Sequence, residues 1–126
     1  MNTRRVLLAG FLVFAVIAAA FHLGRTPTVR LVGGTDAEML DKVRAAIGSA
    51  QHSGRKYVRF DIISPGGSVW DALEISRTVR DAYDRDGIIV EIHAMTMCAS
   101  GCTFVLAAGT PGYRFINTNT MFLVHP

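Results

Sequence analysis

Apolar and polar residues alternate along the chain with periods that switch repeatedly between two and three to four, after a wholly apolar opening. Val6 to Phe21 contains no charged residue, and His22 and Leu23 extend that run before Arg25. Thr28 to Val32 is then a short β-like run closed by Gly33-Gly34. Met39, Leu40, Val43, Ala46 and Ile47 recur at helical spacing. Thr35-Asp36-Ala37-Glu38 before them has the form of a capping box, with Thr35 at the N-cap and Glu38 at N3. Gln51 to Gly54 reads as a polar loop, and Tyr57 to Ile63 as a strand with Val58, Phe60 and Ile62 on one face. Ser64-Pro65-Gly66-Gly67 breaks that strand sharply. Val69 to about Tyr83 is a second helix, with Val69, Ala72, Ile75, Val79 and Ala82 along one stripe. Gly87 ends it, and Ile88 to Ala94 is a third strand. Ala99 to Ala108 is a short helix so nearly wholly apolar that burial is expected. Gly109, Pro111 and Gly112 stop it, and Tyr113 to Ile116 and Met121 to Val124 are further strands. Strands alternating with helices, with Gly-rich turns at strand ends, predict an α/β fold built of parallel βαβ units. The last strand runs to His125-Pro126, which predicts a domain incomplete at its C-terminus.

The opening run is a targeting segment. Arg4 and Arg5 precede it, and the eighteen residues from Val6 to Leu23 can just span about 30 Å of hydrocarbon. The run is long for a signal-peptide core, yet Ala18, Ala19 and Ala20 offer the small-x-small pattern that signal peptidase accepts. Residues 1–24 are therefore a signal peptide or a signal-anchor transmembrane helix, and 28–126 the folded domain. Either way the paired Arg stay on the cytoplasmic side and the domain lies outside, anchored to the inner membrane or released to the periplasm. A buried core helix is the competing reading, and it lacks a polar face to offer solvent. No Cys follows the run to accept a lipid.

Composition changes this picture in one respect. The sequence pI is about 9.2, but the first 24 residues hold two Arg and no acid, which leaves 11 Lys+Arg against 10 Asp+Glu in the rest. The domain is nearly neutral, without the basic field that nucleic-acid binding needs. Half the residues are hydrophobic, which excludes a disordered tail, and two Cys are too few for a disulfide-stapled miniprotein.

Two turns carry candidate chemistry. Ser64-Pro65-Gly66-Gly67-Ser68 joins a strand to a helix N-terminus, where glycines let the backbone approach a ligand and point N–H groups outward. The helix dipole adds positive potential there, which suits an oxyanion or an extended peptide. Cys98-Ala99-Ser100-Gly101-Cys102 makes a second such junction, with Ser100 at the helix N-terminus and the Gly101 N–H beside it, the arrangement of an activated serine. Such a serine needs a base. Of the four His, His22 lies in the apolar run, His52 in the polar loop and His93 mid-strand, and His125 closes a strand end on the same sheet edge.

Three segments carry a family resemblance. Ile63-Ser64-Pro65-Gly66-Gly67-Ser68-Val69 resembles the N-S-P-G-G-x-V turn of the Clp protease proteolytic subunit, in the ClpP/crotonase superfamily. Ala99-Ser100-Gly101 followed by Leu106-Ala107-Ala108-Gly109 resembles its nucleophile helix. Met121-Phe122-Leu123-Val124-His125-Pro126 resembles its catalytic His segment, and 25 residues separate Ser100 from His125 as in the family. The resemblance implies a ClpP/crotonase-like parallel βαβ spiral from about Thr28 to Pro126. It implies Ser100 as nucleophile, His125 as general base, and the Gly67 and Gly101 N–H groups as oxyanion hole. It implies a serine endopeptidase that binds peptide or protein substrate as an added strand, forms a homo-oligomer when full length, and uses no cofactor or metal. The family's third triad member, an Asp, and its ring-interface helix belong to segments beyond Pro126. Export removes the ATP supply, so no ATPase partner is expected.

Each residue also has a plainer reading. Ser100 alone is a helix N-cap, His125 a strand end bonded to a carbonyl, and Gly66-Gly67 a tight turn. Met95 and Met97 read as strand-end packing and Trp70 as core or interface packing. Cys98 and Cys102 are two buried thiols, a disulfide permitted by export, or, fitting least, a metal or redox site. Among functions, a catalytically inactive peptide-binding module at the envelope competes with the peptidase. Acyl-CoA chemistry of the crotonase type is disfavoured by export. A Ser–Lys dyad would need Lys42 or Lys56 near Ser100, and neither lies on a matching turn.

Overall fold

Five parallel strands and three helices make up the domain in a computed structural model that describes residues 27–125. In chain order they are β1 (Thr28–Val32), α1 (Ala37–Ser53), β2 (Tyr57–Ser64), α2 (Val69–Asp84), β3 (Ile89–Ala99), α3 (Gly101–Ala108), β4 (Arg114–Ile116) and β5 (Met121–Leu123). The strand order is β1-β2-β3-β4, with β5 also on β3. The expected α/β fold of parallel βαβ units is therefore present. The expected signal peptide or signal anchor, residues 1–24, lies outside the described residues, and among those described no helix is long and apolar enough to cross a membrane.

Because each strand is added to the same side of the last, right-handed crossovers place α1, α2 and α3 on one face of the sheet. Alternation along the strands fits this. In β2, Val58, Phe60 and Ile62 are buried against the helices, as are Val90, Ile92 and Ala94 of β3. The helices contribute Met39, Leu40, Val43 and Ile47 from α1, Ala72, Ile75, Val79 and Ala82 from α2, and Val105 and Leu106 from α3.

The opposite face is polar and half-buried. Register sets Arg59 beside Glu91, and Asp61 beside His93, which in turn faces Phe115. The Tyr57 hydroxyl donates to Glu91, the Arg59 Nε donates to Asp61 at 2.8 Å, and His93 Nε2 lies 2.5 Å from Glu91 Oε1. An ionised carboxylate only accepts, so His93 donates there. The His93 ring also lies over Phe115, with centroids 4.6 Å apart. Burial, then the Glu91 hydrogen bond, pushes the Tyr57 phenol from 10.0 up to about 12. Burial alone would raise the Glu91 carboxyl, but hydrogen bonds from Tyr57 and His93, together with their neighbours' charges, hold it below its ordinary range.

Several local expectations are corrected. Helix α1 is capped by Asp36, whose side chain accepts from the Met39 N–H, rather than by Thr35. Thr35 is fully buried and bridges to Gly67. The expected loop at Gln51–Gly54 is the last turn of α1, closed by Gly54 in the left-handed region. Strand β3 runs on to Ala99, so Met95 and Met97 lie inside it. It shifts register against β2, from Ile62 beside Ala94 to Ser64 beside Cys98. Helix α3 is not wholly buried, since Phe104 is 46% exposed. Val69, expected on the buried stripe, is half-exposed, and Trp70 at 81% exposed is no core residue.

Phe60→Ala should cost about 3–5 kcal/mol, because Phe60 is fully buried at the centre of the sheet, and urea denaturation measures it. The raised Tyr57 pKa favours the neutral phenol in the folded chain, so its stabilisation is complete below pH 10.0 and is lost as pH rises towards about 12. Denaturation curves across that window should decline more steeply for the parent chain than for Tyr57→Phe.

Candidate active site

Past the carboxyl ends of the strands, three segments of backbone close on one another. The Gly33 N–H donates to the Ile63 carbonyl at 3.1 Å. The Thr35 N–H then donates to the Gly66 carbonyl at 3.0 Å, and the Ser68 N–H to the Thr35 carbonyl at 2.9 Å. These bonds form a parallel bridge between Thr35 and Gly67. Because Thr35 is engaged by the residues flanking Gly67, the Gly67 amide itself points to the other edge of its segment. The turn before it is held from within: the buried Ser64 Oγ accepts from the Gly66 N–H at 3.1 Å. Gly66 and Gly67 have φ of 95° and 153°, which a side chain would resist.

The second turn follows β3. Ser100 has φ 52° and ψ −123°, and it is the one non-glycine residue with positive φ among those described. A serine in such a sparsely populated conformation costs about 1–3 kcal/mol and persists only where its surroundings over-determine it. Here the Ser100 N–H donates to the Leu123 carbonyl at 3.0 Å, and the Ser100 carbonyl accepts from the Thr103 N–H at 2.9 Å. Thr103 Oγ1 donates to that same carbonyl at 2.7 Å. The Ser100 hydroxyl makes no capping hydrogen bond to α3, so the plain N-cap reading does not describe it. The Gly101 N–H belongs to the first turn of α3, whose donors have no intrahelical acceptor.

The two turns meet at Gly66. A Cβ built there would lie 2.6 Å from Ser100 Cβ, 2.7 Å from the Ala99 carbonyl oxygen and 3.0 Å from the Gly101 nitrogen. Gly101 is seated as tightly on its other side, where a Cβ would lie 2.7 Å from Thr35 Oγ1 and 3.2 Å from Ala72 Cβ. Glycine is thus required at both places by close approach. Thr35, expected only as a helix cap, is the residue that touches both turns. The sequence offered no signal for this, because Thr35 and Asp36 are both capping residue types.

Of the other expected residues, Cys98 and Cys102 are joined as a disulfide, with Cα atoms 5.3 Å apart, and both are fully buried. Leu123 of β5 sits beside Ala99, and the exposed His125 follows two residues on. The chain therefore carries His125 past the same end of β3 that presents Ser100. His93 is held on the polar face of the sheet by Glu91 and Phe115, and His52 sits in the last turn of α1. No group of His, Cys, Asp and Glu suited to a metal ion occurs among the described residues.

A family model described as Clp protease matches residues 16–126. The chain belongs to the Clp protease family. It is 33% identical over 90 residues to the ATP-dependent Clp protease proteolytic subunit 3 of Streptomyces avermitilis, covering 71% of this chain and 39% of that protein. It is 32% identical over 90 residues to the proteolytic subunit 1 of Streptomyces coelicolor, with the same coverage. The chain thus spans about two fifths of the length of these relatives. Among solved structures, a ClpP1 point mutant from Listeria monocytogenes superposes with a TM-score of 0.65 at 21% identity, covering 79% of this chain and 56% of that one. The ClpP catalytic domain from Plasmodium falciparum gives 0.66 at 19% identity, covering 78% and 54%. At those identities the likeness is one of fold, and it agrees with the parallel sheet described above.

Gly66→Ala should destabilise the domain by about 2 kcal/mol or more, since it combines a positive φ with a clash against backbone. A fall in thermal midpoint measures this, and a midpoint equal to the parent's would show that the turns do not meet as described.

Proposed function

We propose that this protein is a serine peptidase that cleaves extended peptide segments outside the cytoplasm by acyl transfer. The observation that carries the reading is Ser100 itself. Its backbone is held in a strained turn between a strand and a helix, and its hydroxyl is not spent on capping that helix. A half-buried serine at such a junction has the backbone arrangement of a nucleophile elbow.

In this reading Ser100 Oγ attacks the scissile carbonyl and His125 accepts its proton. The Gly67 and Gly101 N–H groups hold the negative oxygen of the tetrahedral intermediate, aided by the positive end of α3. His125 then returns the proton to the leaving amine, and water admitted in its place hydrolyses the acyl-enzyme. The edge to which the Gly67 amide points would pair with substrate as an added strand. The backbone path from Leu123 supports His125 as the base, since two extended residues reach no more than about 7 Å. His93 is engaged on the polar face of the sheet, and His52 lies in the last turn of α1.

The paired Arg before a long apolar run support placement at the cell envelope, anchored or released. In that location the peptidase works without an ATPase. The apolar side chains exposed beside the turn and along the sheet edge, Trp70, Phe115 and Phe122 among them, support assembly with further copies.

A fluorophosphonate probe tests the chemistry. The expected result is a single adduct on Ser100, lost in Ser100→Ala and formed about 100-fold or more slowly in His125→Ala. A folded protein that forms no Ser100 adduct would leave the inactive peptide-binding module as the better reading. For location, alkaline phosphatase, which needs disulfides formed outside the cytoplasm, should be active in cells when fused after the domain and inactive when residues 1–24 are deleted; an inactive fusion to the whole chain would refute export.

A further inference from the structure

Helix α3 has little of its own to hold its first turn. It is eight residues long, no acid stands in its first turn, and Ser100 does not cap it. An isolated helix of that length is unstable in water, and its ends fray first. Yet Ser100, immediately before that turn, must hold a backbone conformation that only its surroundings can enforce. Hydrogen bonds to Leu123 and from Thr103 supply part of that constraint, and the contact with Gly66 supplies part. The remaining link is covalent. The Cys98–Cys102 disulfide joins the residue two before Ser100 to the residue two after it, closing a small ring around the turn. One end, Cys98, is fixed in the sheet between Ser64 and Phe122. The other, Cys102, is fully buried in the first turn of α3.

We propose that the Cys98–Cys102 disulfide is a positioning element that pins the first turn of α3 to the end of β3 and so holds Ser100 in its reactive conformation. It does the work that a capping side chain would do, which frees the Ser100 hydroxyl. The effect on reactivity rests on Ser100 being the nucleophile; the effect on the turn does not. Breaking the link should loosen the Ser100–Thr103 segment and leave the rest of the core as it was.

The test compares the parent protein with C98A/C102A and with C98V/C102A, which retains more of the buried volume. Hydrogen exchange at the Ser100 and Thr103 amides should accelerate about tenfold or more, while Phe60 and Ile92 stay protected. Fluorophosphonate labelling should show a maximal rate lowered about tenfold or more, with the half-saturating probe concentration within about twofold of the parent's. Unchanged exchange at Ser100 and Thr103 in a folded variant overturns the proposal whether or not Ser100 is labelled. Loss of the whole fold in both variants also overturns it, because the effect is assigned to the turn alone. A parent that is never labelled, with exchange accelerated in the variants, refutes the peptidase reading and upholds the clamp.

Discussion

The close contact between Gly66 and the Ser100 turn is the constraint on which the rest of the site depends. Two strand-end turns, each leading into a helix, approach until the missing side chain of one is filled by the backbone and Cβ of the other. Nothing larger than hydrogen fits, so the distance between the Gly67 amide and the Ser100–Gly101 segment is set by hard contact rather than by adjustable side chains. A catalytic constellation of backbone donors needs this kind of support, since small displacements of a reacting group are costly.

Other features of the fold serve that contact. The shift of β3 against β2 brings Cys98 level with Ser64 and so carries the Ser100 turn to the level of the Gly-rich one. Beyond β1, Thr35 continues the sheet for one residue, straightens the segment Gly66–Ser68 through two backbone bonds, and presses its hydroxyl against Gly101. Strand β5 completes the frame by accepting the Ser100 N–H at Leu123. Sheet, bridge and turn thus act as one unit, and the Tyr57, Arg59, Glu91 and His93 network on the far face ties β2 to β3 beneath it.

Much of the fold was legible in the chain because its signals are local. The alternation of Val58, Phe60 and Ile62 with Arg59 and Asp61, and the helical stripe from Ala72 to Ala82, each report one buried face. The mistakes fell where two local rules applied at once. Thr35 and Asp36 are both good caps, and only pairing with Gly66–Ser68 assigned the role to Asp36. Met95 to Met97 carry no break signal, so where β3 ends depends on what β5 offers it for pairing.

The sequence by itself determined the family, the order of parallel units and the glycines at the strand ends, because hydrophobic period and turn chemistry act over a few neighbouring residues. Only the tertiary structure decided that Gly66 abuts Ser100, that Thr35 touches both turns, and that Cys98 and Cys102 are bonded across the serine. Those relations join residues about thirty or more positions apart, or turn on a backbone angle that no composition encodes, and they exist only once the strands are in register.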